Sequence, residues 1–330
     1  MKRALVLIAL IVASACSGSK PAPASGTSAA SGMTIAVIPK GTTHVFWQSI
    51  RAGAEQAGRE LNVTIVFRGP LREDDRDAQV SEVENAVSRG VSGIVLAPLD
   101  ESALVQPVQE AQQKKIPVVI FDSGLKGDDY VSFVATDNLK GGRLGGERLA
   151  QSLGGKGKVI LLRYAEGHDS TGKREQGFLD AMKANPGIDV VSSNQYGGAD
   201  VEGAYKKAES LLSTYKKPDG SLGVDGIFTP NESVSFAMLR VLQDNGWAGK
   251  VKFVGFDASP NLVKGLRDGN IDGLVVQDPV HMGYLAVKTI VAHLKGQPVE
   301  KWIDTGVHVA TKENMDTPEM KPLVEPDLKK

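Results

Sequence analysis

The sequence predicts an α/β protein made of two parallel-sheet units in succession, on three observations. Short, near-continuous runs of branched apolar residues alternate with amphipathic segments of helical period, the pattern of a parallel sheet covered on both faces. The alternation restarts after Asp137. About 300 residues follow a distinctive N-terminus, more than one hydrophobic core normally holds, so two lobes of roughly 130 to 150 residues are expected.

The first unit opens with the strand MTIAVIPK (Met33–Lys40), a helix through about Glu60 and the strand VTIVFRGP (Val63–Pro70). A helix over Asp77–Arg89, the strand GIVLAPLD (Gly93–Asp100), a helix over Ser102–Lys115 and the strand IPVVIFDSG (Ile116–Gly124) continue it, and YVSFVATD completes it. The second unit begins with a helix from about Leu139 to Leu153, in which Gly141, Gly142, Gly145 and Gly146 read as a closely packed face. The breaker GGKGK, the strand VILLRY, a long loop, a helix over Thr171–Ala184, a strand near Val190–Ser193 and a helix over Val201–Thr214 come next. Then follow GVDGIFTPN (Gly223–Asn231), a helix through Asn245, KVKFVGFD (Lys250–Asp257), a helix through Asp268 and GLVVQD (Gly273–Asp278). A helix over Met282–Leu294 and a final strand over Trp302–His308 must join one lobe or cross between them.

At the N-terminus Lys2 and Arg3 precede the apolar run Ala4–Ala13, which ends in small residues and the chain's one cysteine, Cys16. This is the pattern of an export signal. The run is shorter than the roughly 20 apolar residues a spanning helix needs, and no later segment approaches that length. Its ending, Ala13-Ser14-Ala15-Cys16, resembles the processing box of bacterial lipoproteins, which implies a signal peptide over residues 1–15, lipidation of Cys16 and attachment to a bilayer. The alternative is a soluble export signal cut near Ala15. Residues 16–32, rich in Ser, Gly, Pro and Ala, read as a flexible tether. One cysteine permits no internal disulfide.

Without residues 1–16, which contain Lys2 and Arg3, 36 basic residues face 39 acidic ones, a formal charge of −3. With no broad basic face and no zinc-finger spacing, nucleic acid is excluded as an expected partner.

In open α/β sheets ligands bind beyond the carboxyl ends of the strands. Asp122 follows IPVVIF, Asn231 follows GIFTP, Asp257 follows KFVGF and Gln277 follows GLVV. Capping the next helix is an alternative role for Asp122 or Asp257, and satisfying local turn amides is one for Asn231. Together with Arg174 they form a set of donors and acceptors suited to adjacent hydroxyls on a small uncharged molecule. Only 18 of 330 residues are aromatic, so the pair Phe46-Trp47 beside a strand-end loop stands out as a surface for the C–H face of a sugar ring, the alternative being inward packing. His44 is positioned to donate to a hydroxyl or to open the first helix.

In this order THVFWQSIRAGAEQA, GIVLAPLD, IPVVIFDSG, VATDNLKGG, DSTGKREQGF, GIFTPNESVSFAML, VGFDASP and VVQDPVHMGY resemble the ribose/galactose/glucose-type periplasmic solute-binding proteins of bacterial sugar transporters, over Met33 to about Val309. The resemblance implies two Rossmann-like lobes joined by three crossovers, a type 1 periplasmic-binding fold. It places residues 33–136 and about 279–306 in the first lobe, 137–277 and about 307–316 in the second, and leaves 317–330 as a tail. Crossings are implied near Asp137, Asp278 and Gly306. The implied function is capture of a mono- or small oligosaccharide between lobes that close by hinge motion, and delivery to the permease of an ABC transporter whose ATPase lies across the membrane. A monomer without catalytic residues, cofactor or metal is implied.

The resemblance puts Phe46 and Trp47 against the ring with a covering group from the second lobe, the family's aromatic falling near Ala199. Asp122 contributes from the first lobe, and Arg174, Asn231 and Asp257 from the second, with Gln277 at a crossover. Ser123 stands where the ribose binder carries an arginine, and His44 replaces a common asparagine. The loop after the second strand lines the cleft in related sugar binders, which makes Arg68 a secondary candidate. Ser123 and Tyr196 are others. Asp74 and Asp75 read as a solvated turn or a helix cap, and Gly167, His168 and Asp169 lie in a loop that covers the ligand in one reading.

Paired carboxylates also suggest a glycosidase, but no leaving-group geometry accompanies them. GTTHVF lacks the G-x-G-x-x-G turn of a dehydrogenase, and no P-loop is present. A DNA-binding regulator of the same fold would need a reading head where this chain has a signal and tether. The remaining alternative is a sugar receptor for chemotaxis or a membrane sensor.

Overall fold

The computed structural model describes residues 32–328. The signal peptide, Cys16 and all of the tether except Gly32 lie outside the described residues. Within them, five hydrophobic runs form β1 (Thr34–Ile38), β2 (Thr64–Phe67), β3 (Gly93–Leu96), β4 (Val118–Phe121) and β5 (Ser132–Ala135), joined late in the chain by β11 (Trp302–Asp304). They make one six-stranded parallel sheet in the order β11-β5-β4-β3-β1-β2. The second sheet contains β6 (Gly157–Arg163), β7 (Ile188–Tyr196), β8 (Gly226–Phe228), β9 (Lys252–Phe256), β10 (Gly273–Val276) and β12 (His308–Ala310). Its order, β12-β10-β9-β8-β6-β7, repeats that of the first, with β12 alone antiparallel.

Helices cover both faces, as the continuous apolar strands require. In the first lobe these are α1 (Val45–Leu61), α2 (Arg76–Ser88), α3 (Val105–Gln113) and α9 (Pro279–Leu294). In the second they are α4 (Asn138–Ser152), α5 (Asp169–Lys183), α6 (Val201–Ser213), α7 (Glu232–Asp244), α8 (Pro260–Arg267) and the short α10 (Lys321–Val324). Alternation along a strand sends neighbours to opposite cores. From β1, Ile35 and Val37 join Ile50 and Met282, while Ala36 and Ile38 join Val83 and Leu104. From β6, Val159 and Leu161 pack with Phe178 and Phe228, while Ile160 and Leu162 pack with Leu212 and Met238.

The chain passes between the sheets three times. It leaves the first after β5, where Asp137 caps α4 by accepting from the Lys140 amide. It returns after β10, where Asp278 caps α9 by accepting from the His281 amide. The last passage corrects the reading of Trp302–His308 as one strand. Gly306, at φ 84°, donates from its amide to Asp304 Oδ1 at 2.9 Å, and this turn divides the segment into β11 in one sheet and β12 in the other. The residues taken as a tail are also corrected: Met320 and Val324 are buried in the core of the second lobe. The helix expected from Ser102 begins at Val105, after turns held by Asp100 Oδ1, which accepts from the Ser102 and Ala103 amides.

The first helix after each of the first two passages meets its neighbour through glycine. A Cβ on Gly142 of α4 would lie 1.8 Å from the Arg174 carbonyl oxygen of α5, and one on Gly283 of α9 would lie 2.2 Å from the Ile50 oxygen of α1. Both neighbours carry cavity residues at their N-terminal ends.

Candidate functional site

The carboxyl ends of the two sheets face each other across a cavity that is partly open to solvent. His44, Phe46, Trp47, Asp122, Arg174, Asn231, Asp257 and Gln277 all line it. The same wall includes Lys40, Glu73, Tyr164, Ser170, Thr171 and Glu232, which the sequence reading did not select.

Each group is set by the element it ends or begins. Asp122 ends β4 and Asp257 ends β9, both in the left-handed region at φ 60° and 69°. Each amide still donates across its sheet, Asp122 to the Val134 oxygen at 3.0 Å and Asp257 to the Val275 oxygen at 2.7 Å. The strand therefore ends in a sharp turn that presents a carboxylate to the cavity. Lys40, just beyond β1, brings Nζ to 2.9 Å from Asp122 Oδ2 and donates to Ser170 Oγ at 2.9 Å. Asp122 Oδ2 is buried without a hydrogen-bond partner of proper alignment, as is Gln277 Oε1.

Arg174 is buried on α5. Its Nε donates to Asn138 Oδ1 at 2.7 Å and its Nη1 to the Pro230 oxygen at 3.1 Å, and its guanidinium lies 3.9 Å from the Phe256 ring centroid. Asp257 Oδ2 is 4.0 Å from Nη1, while Oδ1 accepts from Gln277 Nε2 at 2.7 Å and Oδ2 from the Glu232 amide at 3.1 Å. Burial lowers the Arg174 pKa against the pull of Asp257 and Asp122, and burial raises that of Asp257 against Arg174 and Gln277. Asn231 is both a helix cap and a residue of the cavity wall. Its Oδ1 accepts from the Val234 amide at 3.3 Å as the cap of α7, and it also lines the cavity.

Phe46 and Trp47 likewise serve two ends. Both belong to the first-lobe core and both reach the cavity, their rings edge to face at 4.9 Å. Glu73 fixes the indole by accepting from Trp47 Nε1 at 2.6 Å, and it accepts from His44 Nδ1 at 2.8 Å. Burial would lower the His44 pKa, but the bond and charge of Glu73, helped by Glu232 and Asp257, raise it to about 9. Burial would raise the Glu73 carboxyl, but His44, Lys40 and Trp47 hold it well below the usual range.

The secondary candidates fall elsewhere. Arg68 lies on the flank between β2 and α2, in a separate crevice with Glu82 and Arg89. The loop that Arg68 begins does reach the cavity, through Glu73. Ser123 is buried behind the wall, where its Oγ accepts from the Ser170 amide at 3.1 Å. Tyr196 ends β7 away from the cavity, under the Arg163 guanidinium at 4.9 Å. Ala199 itself is in the core of the second lobe, where the amide of its neighbour Gly198 donates to the Tyr164 oxygen at 2.8 Å. The second-lobe aromatic is Tyr164, directly after β6. Asp75 caps α2 through the Ala78 amide, and Asp74 pairs with Arg72. In the covering loop His168 stacks edge-on against Tyr164 at 4.8 Å, and Asp169 Oδ2 accepts from the Gly124 amide at 2.9 Å.

The family described as periplasmic binding protein domain matches residues 35–298. The chain belongs to the periplasmic binding protein family. Within this family of binding proteins, not enzymes, it is of the ribose-binding type. It is 30% identical to the ribose import binding protein of Haemophilus influenzae, over 86% of this chain and 93% of that protein. Among solved structures it resembles a solute-binding protein of an ABC transporter from Agrobacterium vitis with bound D-fucose, at 38% identity and TM-score 0.83, covering 88% of this chain and 99% of that one. It also resembles a carbohydrate transporter solute-binding protein from Agrobacterium radiobacter in complex with D-arabinose, at 34% identity and TM-score 0.85, covering 90% and 100%. No helix among the described residues of this periplasmic binding protein is long and apolar enough to cross a membrane.

Proposed function

We propose that this chain, the solute-binding component of an ABC-type sugar import system, holds one neutral monosaccharide in the interlobe cavity and presents it to a membrane permease. The observation that carries the reading is the cavity wall itself. Side chains from the strand ends of both sheets converge there, with Gln277 Oε1 a buried acceptor without a donor and Asp122 Oδ2 met by the Lys40 ammonium at 2.9 Å. Buried acceptors without donors are costly, and sugar hydroxyls supply donors. Phe46 and Trp47 offer the apolar surface that C–H faces of a ring require. Three of the wall's four carboxylates, Asp122, Glu73 and Asp257, are met by Lys40, His44 and Arg174, and the fourth, Glu232, accepts from backbone amides, which favours an uncharged ligand. Relatives named for ribose or solved with D-arabinose and D-fucose support the same ligand class.

Calorimetric titration with pentoses and hexoses, after refolding to remove carried-over ligand, tests this. One-to-one binding with the sugar recovered intact is expected. Asp122→Ala and Arg174→Ala should each weaken it at least about tenfold, since hydrogen bonds to charged groups contribute roughly 1.5 to 3 kcal/mol. Asp75→Ala, which removes only the cap of α2, should leave affinity unchanged. Equal effects of all three would refute the site.

For localisation, the Lys2-Arg3 start, the apolar run to Ala13 and Cys16 support export followed by lipid anchoring. Mass spectrometry of the processed protein should find acyl chains on Cys16, and Cys16→Ser should release the protein from membranes. An unmodified Cys16 would leave a freely soluble exported protein.

A further inference from the structure

Two carboxylates in the cavity wall are already engaged by protein donors from across the cleft. Glu73, in the first lobe, accepts through Oε1 from Trp47 and His44, and its Oε2 accepts from the Tyr164 hydroxyl at 2.8 Å. Tyr164 follows β6, so this bond joins the lobes. Glu232, the first residue of α7 in the second lobe, reaches the other way. Its Oε1 and Oε2 accept from the amides of Val45 at 3.4 Å and Phe46 at 3.1 Å. These are the first two amides of α1, whose own N-cap, His44, makes no side-chain capping bond. The orphan amides of a first-lobe helix are thus capped by a carboxylate of the other lobe.

We propose that Glu73–Tyr164 and Glu232–α1 are reciprocal latches that favour the closed arrangement of the lobes independently of which sugar is held. Glu73 and Glu232 are then positioning residues. This inference rests on the sugar-binding reading above. Each latch breaks when the lobes part, and its donors and acceptors pass to water. A residue that contacts sugar discriminates among sugars, whereas a latch shifts the open–closed equilibrium, and hence the affinity for every sugar, by one common factor.

Tyr164→Phe keeps the ring in the wall and removes the hydroxyl; Glu232→Gln keeps the shape and removes the charge. For two sugars that both bind, each variant should raise Kd about tenfold, with the ratio between the sugars preserved. A ratio shifted more than about fivefold, or an unchanged Kd, overturns the proposal. A ligand-free measurement separates its failure from that of the sugar reading. Single-molecule energy transfer between dyes at Glu84→Cys and Lys207→Cys, with Cys16→Ser removing the one native cysteine, reports lobe separation. Both variants should be closed less often than the parent protein even if no sugar binds; identical distributions overturn the latches.

Discussion

At the residue scale, Asp122 and Asp257 occupy equivalent positions in the two lobes and adopt the same left-handed backbone. Aspartate tolerates this region better than most residues, and such strain concentrates where a side chain must be aimed. The sequence shows both positions, because an apolar run ending in a polar residue marks the strand's carboxyl end. Lys40 after β1 and Tyr164 after β6 carry the same signal, but their types blend into the strand reading. Glu73 carries none, since only the tertiary course of the loop brings it beneath Trp47. Glu232 reads as an ordinary first-turn acid of α7 until the other lobe is placed against it.

The two histidines of the seam give a pH prediction with opposite signs. His44 is raised from 6.5 to about 9, so the folded protein holds the extra proton between those values. Its stabilisation is complete below pH 6.5 and is lost as pH rises toward 9. His168 is lowered from 6.5 to about 4, by burial first and then by the charges of Lys40 and Arg76, against Glu73 and Asp100. The unfolded chain binds the extra proton there, so stability is lost as pH falls from 6.5 toward 4. Each contribution is of the order of 3 kcal/mol. Melting temperature against pH should flatten between 6.5 and 9 in His44→Gln, and between 4 and 6.5 in His168→Gln. Curves parallel to the parent would contradict the assignment.

At the element scale, the glycine run in α4 is legible as a packing face, but its partner is not, because which helix lies against it depends on the crossover. That partner, α5, presents the Arg174 carbonyl to Gly142. Gly142→Ala should therefore destabilise the protein by about 1 to 3 kcal/mol through overpacking and also weaken sugar binding, because the displaced turn carries Arg174. Gly172 of the same helix meets nothing within 4 Å. Gly172→Ala should raise stability by about 0.5 to 1 kcal/mol and leave affinity unchanged. Thermal unfolding and calorimetry on both variants check the contrast; equal loss of binding in both would show that helix packing does not position Arg174.

At the scale of the whole molecule, hydrophobic periodicity displays strands and helices in their correct sequence but describes two units laid end to end. It cannot show that α9 and β11 return to the first sheet, because strand pairing between residues such as Ile303 and Val134 is non-local and leaves no local pattern. Only the ordered motifs imply the exchange. For the same reason Trp302–His308 reads as one strand, although its halves serve different sheets. The exchange shapes the proposed site: three connections hold two lobes so that strand ends from both meet at one cavity. The most direct test is the crystal structure with the tightest-binding aldose. The sugar ring should lie against Phe46 and Trp47, with oxygens within hydrogen-bonding distance of Asp122, Arg174 and Asn231. A sugar bound outside the cavity, or within it but away from these side chains, would contradict the proposed site.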